Sequence, residues 1–210
     1  MSKSQNPMTG HMSGSMGNFT NSVYRGLNVV KAKAFMPKNV KSPAQLNHRA
    51  IFKLVVDTYD SFGGITDLGF PGRPKVLSPY NAFMLANMPH AVDTSGAVPV
   101  IDYTKLVITE GSLPVVTVTT AVCGATGITL SYKTSITTPK VKATDEIVAF
   151  AKLKNGELII ERQVRSAEDL STILLAYPDI EAANVECCFV FALSEDGTKA
   201  TIKATLVEVS

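Results

Sequence analysis

The chain has no tryptophan, only three cysteines, and few charges for its length, 18% Asp, Glu, Lys and Arg. Each scarcity excludes something. Without tryptophan, the buried indole that marks antibody-type sandwich cores is ruled out. Cys123, Cys187 and Cys188 are odd in number and make no Cys-x-x-Cys pair, so neither a disulfide framework nor a zinc knuckle is expected. His11, His48 and His90 are scattered and add no ligand at metal spacing. Adjacent Cys187 and Cys188 would point to opposite faces of a strand, as small apolar residues of a reducing compartment. No run approaches the roughly 18 consecutive apolar residues that a membrane span needs. The first residues carry one lysine and no apolar stretch, so no secretory signal is expected. The low charge also separates the chain from disordered sequences, and 45% hydrophobic content suffices for a packed core.

Catalytic signatures are missing as well. There is no Gly-x-Ser-x-Gly elbow, and the glycines at 63–64 and 69–72 lack the Lys-Ser/Thr ending that would hold a nucleotide. Asp145-Glu146, Glu168-Asp169 and Glu195-Asp196 are sequence neighbours at expected caps and turns. Paired carboxylates catalyse when two environments across a cleft separate their pKa values, which neighbours rarely achieve. The expectation is a protein that is not an enzyme, with no catalytic residue, cofactor, metal site, small-molecule substrate or membrane partner.

What is present is an uneven distribution of charge. Residues 1–100 hold ten Lys and Arg against four Asp and Glu, a net +6. Residues 101–210 hold ten against fourteen, a net −4. Basic segments of this kind suit either nucleic acid or a neighbour's acidic surface. The candidate contact residues are Arg25, Lys31, Lys33, Lys38, Lys41, Arg49, Lys53, Arg73 and Lys75, interleaved with Tyr24 and Phe35. Aromatics so placed could stack on single-stranded bases.

Along the chain, residues 1–16 read as a flexible Ser-, Gly- and Met-rich arm. From Phe19 to Phe35 the alternation of Val23, Arg25, Leu27, Val29 and Lys31 with their neighbours predicts an extended strand or clamp-like arm. Ser42-Pro43-Ala44-Gln45 combines a cap, a first-turn proline and a capping-box glutamine, and so opens a helix. Its apolar stripe takes Leu46, Ala50, Leu54 and Thr58 with Ile51, Val55 and Tyr59, and Gly63-Gly64 stops it. Ser78-Pro79 opens a shorter helix through Asn87. Residues 17–96 thus form a basic extended and helical segment.

Residues 97–210 are β-rich, with strands expected over 100–108, 114–122, 127–133, 145–153, 157–164, 185–193 and 199–208. Asn155-Gly156 and Asp196-Gly197 mark hairpins between the last pairs, both residues of each supplying positive φ. Ser166 to Tyr177 reads equally as a short helix or a strand. About seven short strands at this spacing point to an immunoglobulin- or fibronectin-like antiparallel sandwich. The fold class is therefore mainly β, with a small helical N-terminal part.

Several short motifs resemble those of an uncharacterised bacterial family of the Bacteroidetes type, described only as a domain of unknown function of about this length. They are Gly17-Asn18-Phe19, Tyr24-Arg25-Gly26, Ser42-Pro43-Ala44-Gln45-Leu46 with Arg49 and Phe52, Gly69-Phe70, Asn81-Ala82-Phe83, Ile101-Asp102-Tyr103 and Glu110-Gly111-Ser112-Leu113-Pro114. The resemblance covers residues 17–115, leaves the first 16 as an added arm, and implies no activity.

Taken together, the sequence predicts a non-enzymatic structural subunit that self-assembles through an extended N-terminal arm. The expected setting is cytoplasmic synthesis and a phage virion, as a capsid or tail component. Its partners would be copies of itself or other structural proteins. The alternative is a nucleic-acid-binding protein using the basic half.

Overall fold

A single dipeptide, Arg25-Gly26, decides how the N-terminal stretch folds. Both residues take positive φ, 52° and 76°, the combination that closes a two-residue hairpin. Glycine enters this region freely, whereas an arginine does so at a cost. The computed structural model describes residues 2–4, 11–33, 41–96, 98–133, 140–166 and 170–210. In it the N-terminal strands are β1 (Ser2–Ser4), β2 (Gly14–Met16), β3 (Phe19–Tyr24) and β4 (Leu27–Ala32), ordered β1-β4-β3-β2 in one antiparallel sheet. Tyr24 lies opposite Leu27 and Phe19 opposite Ala32. Phe19 to Lys33 is therefore not one extended strand, because the turn reverses it; Ala34 and Phe35 lie outside the described residues. Residues 2–4 and 14–16, expected in a flexible arm, are strands.

The chain divides into two compact units, Met1–Ser42 and Pro43–Ser210. The boundary thus falls ahead of the helices, not at 96/97. The reason is a shared core: the helices pack on the β-rich part instead of forming a segment of their own.

In the second unit, α1 (Pro43–Ser61) and α3 (Pro79–Asn87) begin at the prolines that mark them, while the short α2 (Ile65–Gly69) starts after Gly64 with no side-chain cap. Ser78 Oγ accepts the Asn81 N–H at 3.2 Å. Val55 and Thr58 of α1 are buried and Phe62 follows them into the core. The first turns of α1 are not: Leu46 is 47% exposed and Ala50 is exposed too. Leu46 precedes Val55 by about two and a half helical turns, which aims it the opposite way. The expected stripe is thus only half used.

A short pair, β5 (Val92–Asp93) and β6 (Val100–Ile101), leads into β7 (Thr117–Gly124), β8 (Gly127–Lys133), β9 (Glu146–Leu153), β10 (Leu158–Val164), β11 (Leu170–Ala176), β12 (Val185–Leu193) and β13 (Thr205–Leu206). One antiparallel sheet has the order β10-β9-β12-β13 and another β11-β8-β7. Ile147, Ala149, Ala151, Cys188, Val190 and Ala192 of the first sheet share a core with Ile128, Leu130, Ile173 and Leu175 of the second. This is the arrangement of a β-sandwich. The alternate residues Val148, Phe150, Cys187, Phe189 and Phe191 share a second core with Val55, Phe62, Ile65 and Phe83 of the helical layer. Strands β9 and β12 are therefore buried on both faces, which is why their sequences run apolar without alternating.

Asn155-Gly156 and Asp196-Gly197 do form turns, but with glycine alone at positive φ. Gly156 N–H bonds Leu153 O and Leu153 N–H bonds Glu157 O, so the first is a three-residue loop ending in a left-handed glycine. Leu170–Ala176 resolves as a strand; the adjacent residues 167–169 lie outside the described residues.

Two expected strands are largely absent. After Ile101, Asp102 takes the Thr104 N–H and hydroxyl, a local turn that ends β6. Residues 105–116 then run as an extended strap, with Leu106, Ile108, Leu113 and Val116 buried. The stretch after Lys199 is drawn to that strap: Ser112 and Leu113 N–H groups both bond Ala200 O, and Ile202 N–H bonds Leu113 O, all at 2.9 Å. The same stretch keeps a partial hold on β12: Ala200 bridges Leu193, Thr201 N–H bonds Ala192 O, and Thr205–Leu206 pairs with Phe189 and Val190.

Candidate interaction surfaces

The strap explains some of the motifs that carried the family resemblance. A Cβ on Gly69 would stand 2.0 Å from Ile108 O, and one on Gly111 would stand 2.1 Å from Ala200 O. Only glycine permits either approach. Asn87 at the end of α3 holds Val107 by both its backbone groups. Tyr103 donates its hydroxyl to Glu186, whose other oxygen pairs with Lys152 Nζ at 3.0 Å. Burial first, and then Glu186, push the Tyr103 pKa well above its ordinary value, which keeps this phenol a hydrogen-bond donor and not a nucleophile. Gly69, Tyr103 and Gly111 therefore belong to the junction between helices, strap and sandwich, whereas Gly17-Asn18-Phe19 and Tyr24-Arg25-Gly26 belong to the N-terminal unit.

Beside the strap lies an open cleft of about 840 Å³, lined mostly by apolar side chains, with Phe70, Leu77, Ala86, Val107 and Ile202 among them. Arg73 sits in its wall. Its Nε donates to Leu77 O at 3.2 Å and its Nη1 to Phe70 O at 2.8 Å, so the guanidinium braces its own loop. No convergent acid–base pair lines the cleft. Among the described residues, no group of three or more His, Cys, Asp or Glu could hold a metal ion, and no helix is long and apolar enough to cross a membrane.

The other expected contact residues are spread over both units. Arg25 occupies the hairpin turn with its guanidinium 5.2 Å from the Tyr24 ring centroid, while Lys31 lies near the far end of β4 and Lys33 just beyond it. Lys41 precedes α1, and Lys38 lies outside the described residues. Arg49 and Lys53 are one turn apart on the exposed side of α1, and Lys75 is exposed in the loop before α3. The turn thus separates Arg25 from Lys31, which a single strand would have put on one face.

Sequence reasoning missed a different surface. The pairings of β2, β3 and β4 place Met16, Phe19, Val23 and Ala32 on one side of the N-terminal sheet. Met16 is 63% exposed and Phe19 is 53% exposed. The signal was available in Gly26, whose turn converts the alternation into two faces. The charge division is also sharper than the halves suggest. Residues 1–42 hold six Lys and Arg and no Asp or Glu; residues 43–210 hold the other fourteen bases and all eighteen acids, a net −4.

These features define a mainly antiparallel β protein with a sandwich and a strapped helical layer. The chain belongs to the family of unknown function DUF6266, whose model matches residues 11–206. The match reaches well past residue 115 and takes in residues 11–16, which the resemblance had set aside as an added arm. No curated protein and no solved structure gives a significant match to the chain.

Proposed function

We propose that this protein is a non-enzymatic structural subunit that self-assembles through its N-terminal sheet. The observation that carries the reading is how little apolar surface the described residues of this sheet bury. Val29 is the one buried hydrophobic residue among its described positions, while Met16, Phe19, Val23 and Tyr24 are exposed. Met16, Phe19 and Ala32 lie side by side on one face with Val23 beyond Asn21, and exposed apolar side chains grouped in this way suit a contact surface. A neighbouring copy supplies the cover in this reading, and the acid-free, basic N-terminal unit complements the net negative remainder of the chain. The sandwich serves as an immunoglobulin- or fibronectin-like module, a reading supported by the partition of β7, β8 and β11 from β9, β10, β12 and β13. A phage virion is the setting such a subunit suits, after synthesis in a bacterial cytoplasm; this part rests on analogy of architecture.

The test is the solution mass of the full chain by light scattering at low and high salt, alongside a chain lacking residues 1–41. A defined assembly that the truncation reduces to a monomer supports the reading. A truncated protein that assembles normally defeats it.

A second reading, nucleic-acid binding, draws on the same acid-free unit and on Arg25 stacked over exposed Tyr24. It expects affinity that falls steeply with salt and drops on changing Arg25, Lys31 and Lys33 to Ala. Binding that ignores salt, or none at all, removes it.

A further inference from the structure

The outer face of the β7-β8-β11 sheet is the counterpart of the N-terminal sheet. Register places Leu174, Thr129 and Val122 in one row across it and Thr172, Ser131 and Thr120 in the next. All but Ser131 are exposed, with Val122 at 51% and Leu174 at 42%. Neither row carries a charge; Lys133, between Leu170 and Thr117, is the cation of the row beyond, at the end of the sheet away from Gly124 and Gly127. At the end of this sheet near Gly124 and Gly127, acids form the rim: Asp179 N–H bonds Ala125 O, and Glu157 accepts the Tyr177 hydroxyl at 2.6 Å.

We infer that the uncharged face of the N-terminal sheet of one copy packs on this outer face of a second copy. The inference rests on the self-assembly reading and names its acceptor. Two faces of largely uncharged side chains match sheet on sheet, and the acidic end of the acceptor face complements the acid-free, basic N-terminal unit, as at a specific protein interface. The same charges oppose the symmetric alternative. Two N-terminal units brought together would set six cations against six with no acid in either, so a donor–acceptor contact is favoured over a self-complementary one. Such a contact is heterologous and propagates into a ring or a filament.

The test uses the full-length chain with Phe19→Glu, which spoils the donor face, and separately with Leu174→Glu, which spoils the acceptor face. Both side chains are exposed, so circular dichroism should match the wild type. Each variant alone is expected to be a monomer. Mixed, they are expected to form a pair of twice the 22.4 kDa chain mass, because L174E still offers a donor and F19E still offers an acceptor. Val122→Glu, on a different strand of the same face, should replace L174E in this experiment. A mixture that stays monomeric, or an L174E protein that assembles like the wild type, overturns the inference while leaving self-assembly standing. A wild-type chain that is monomeric at every salt concentration overturns both.

Discussion

Asn87 holds Val107 as a neighbouring strand would. Its Oδ1 accepts the Val107 N–H at 2.7 Å, and its Nδ2 donates to the Val107 carbonyl at 2.9 Å and to Phe83 O at 3.0 Å. The side chain is fully buried and its bonds to Val107 are part-buried, so water replaces them only in part when it is removed. Asn87→Ala should therefore lower unfolding stability by about 2–3 kcal/mol, the cost of leaving backbone groups unpaired in a core. Urea denaturation of wild type and variant measures this. A change below about 0.5 kcal/mol would mean that the strap is held by its apolar residues alone.

Gly111 gives a second handle on the strap. An alanine there would place its Cβ 2.1 Å from the Ala200 carbonyl oxygen and 2.5 Å from its carbon, and backbone cannot swing aside as a side-chain tip can. Gly111→Ala should destabilise by at least about 2 kcal/mol, in the range of overpacked cores. Gly72→Ala is the control, since nothing lies within 4 Å of its Cβ position, and it should change little. Thermal unfolding of the two side by side separates close approach from a general loss of glycine flexibility.

Where local chemistry decides the structure, the sequence was readable. Ser78-Pro79 started α3, Pro43 started α1, and the strands from β8 to β10 and β12 fell close to their apolar runs. It failed where tertiary contacts override alternation. Ala200, Ile202 and Ala204 alternate as a strand should, and Ala200 does bridge Leu193 across the hairpin, but Ala200 and Ile202 also bond to Leu113 and Ser112 of the strap, 85 or more positions back in the chain, and no local pattern announces that. Arg25 failed for another reason: arginine is not a residue that turns favour, so only Gly26 signalled the hairpin. The two-sided burial of β9 was legible in Ile147 to Ala151, five apolar residues in succession, which calls for a layer on each side.

Acid should act through Asp102 and Asp196. Lys105 and Thr104 hold the first at a pKa of about 2, and Ser194 and Thr198 hold the second at about 2, both below the ordinary 3.8. A carboxylate with a depressed folded-state pKa contributes stability that is complete above its unfolded value and disappears as pH falls through the folded one. The melting temperature should thus decline between about pH 4 and pH 2. Asp102→Asn with Asp196→Asn should start lower at pH 6 and decline less over that window. Parallel slopes for the two proteins would assign the acid sensitivity to other carboxylates.

The cysteines offer a probe of the sandwich itself. Cys187 faces the helical layer and Cys188 faces the second sheet, so one thiol reports on each core. Burial pushes both up to about 12, and a thiol that stays protonated and enclosed is a poor nucleophile. Cys123 is partly exposed on β7, and burial raises its pKa as well. At pH 8 a disulfide-exchange reagent should therefore label Cys123 slowly in the native protein and all three thiols in denaturant. Labelling of Cys187 alone before global unfolding would show that the helical layer lifts away from β12 on its own. Labelling of Cys188 alone would show that the two sheets part first. Equal protection of both means that the two cores open in one step, as expected for a central sheet whose strands β9 and β12 belong to both.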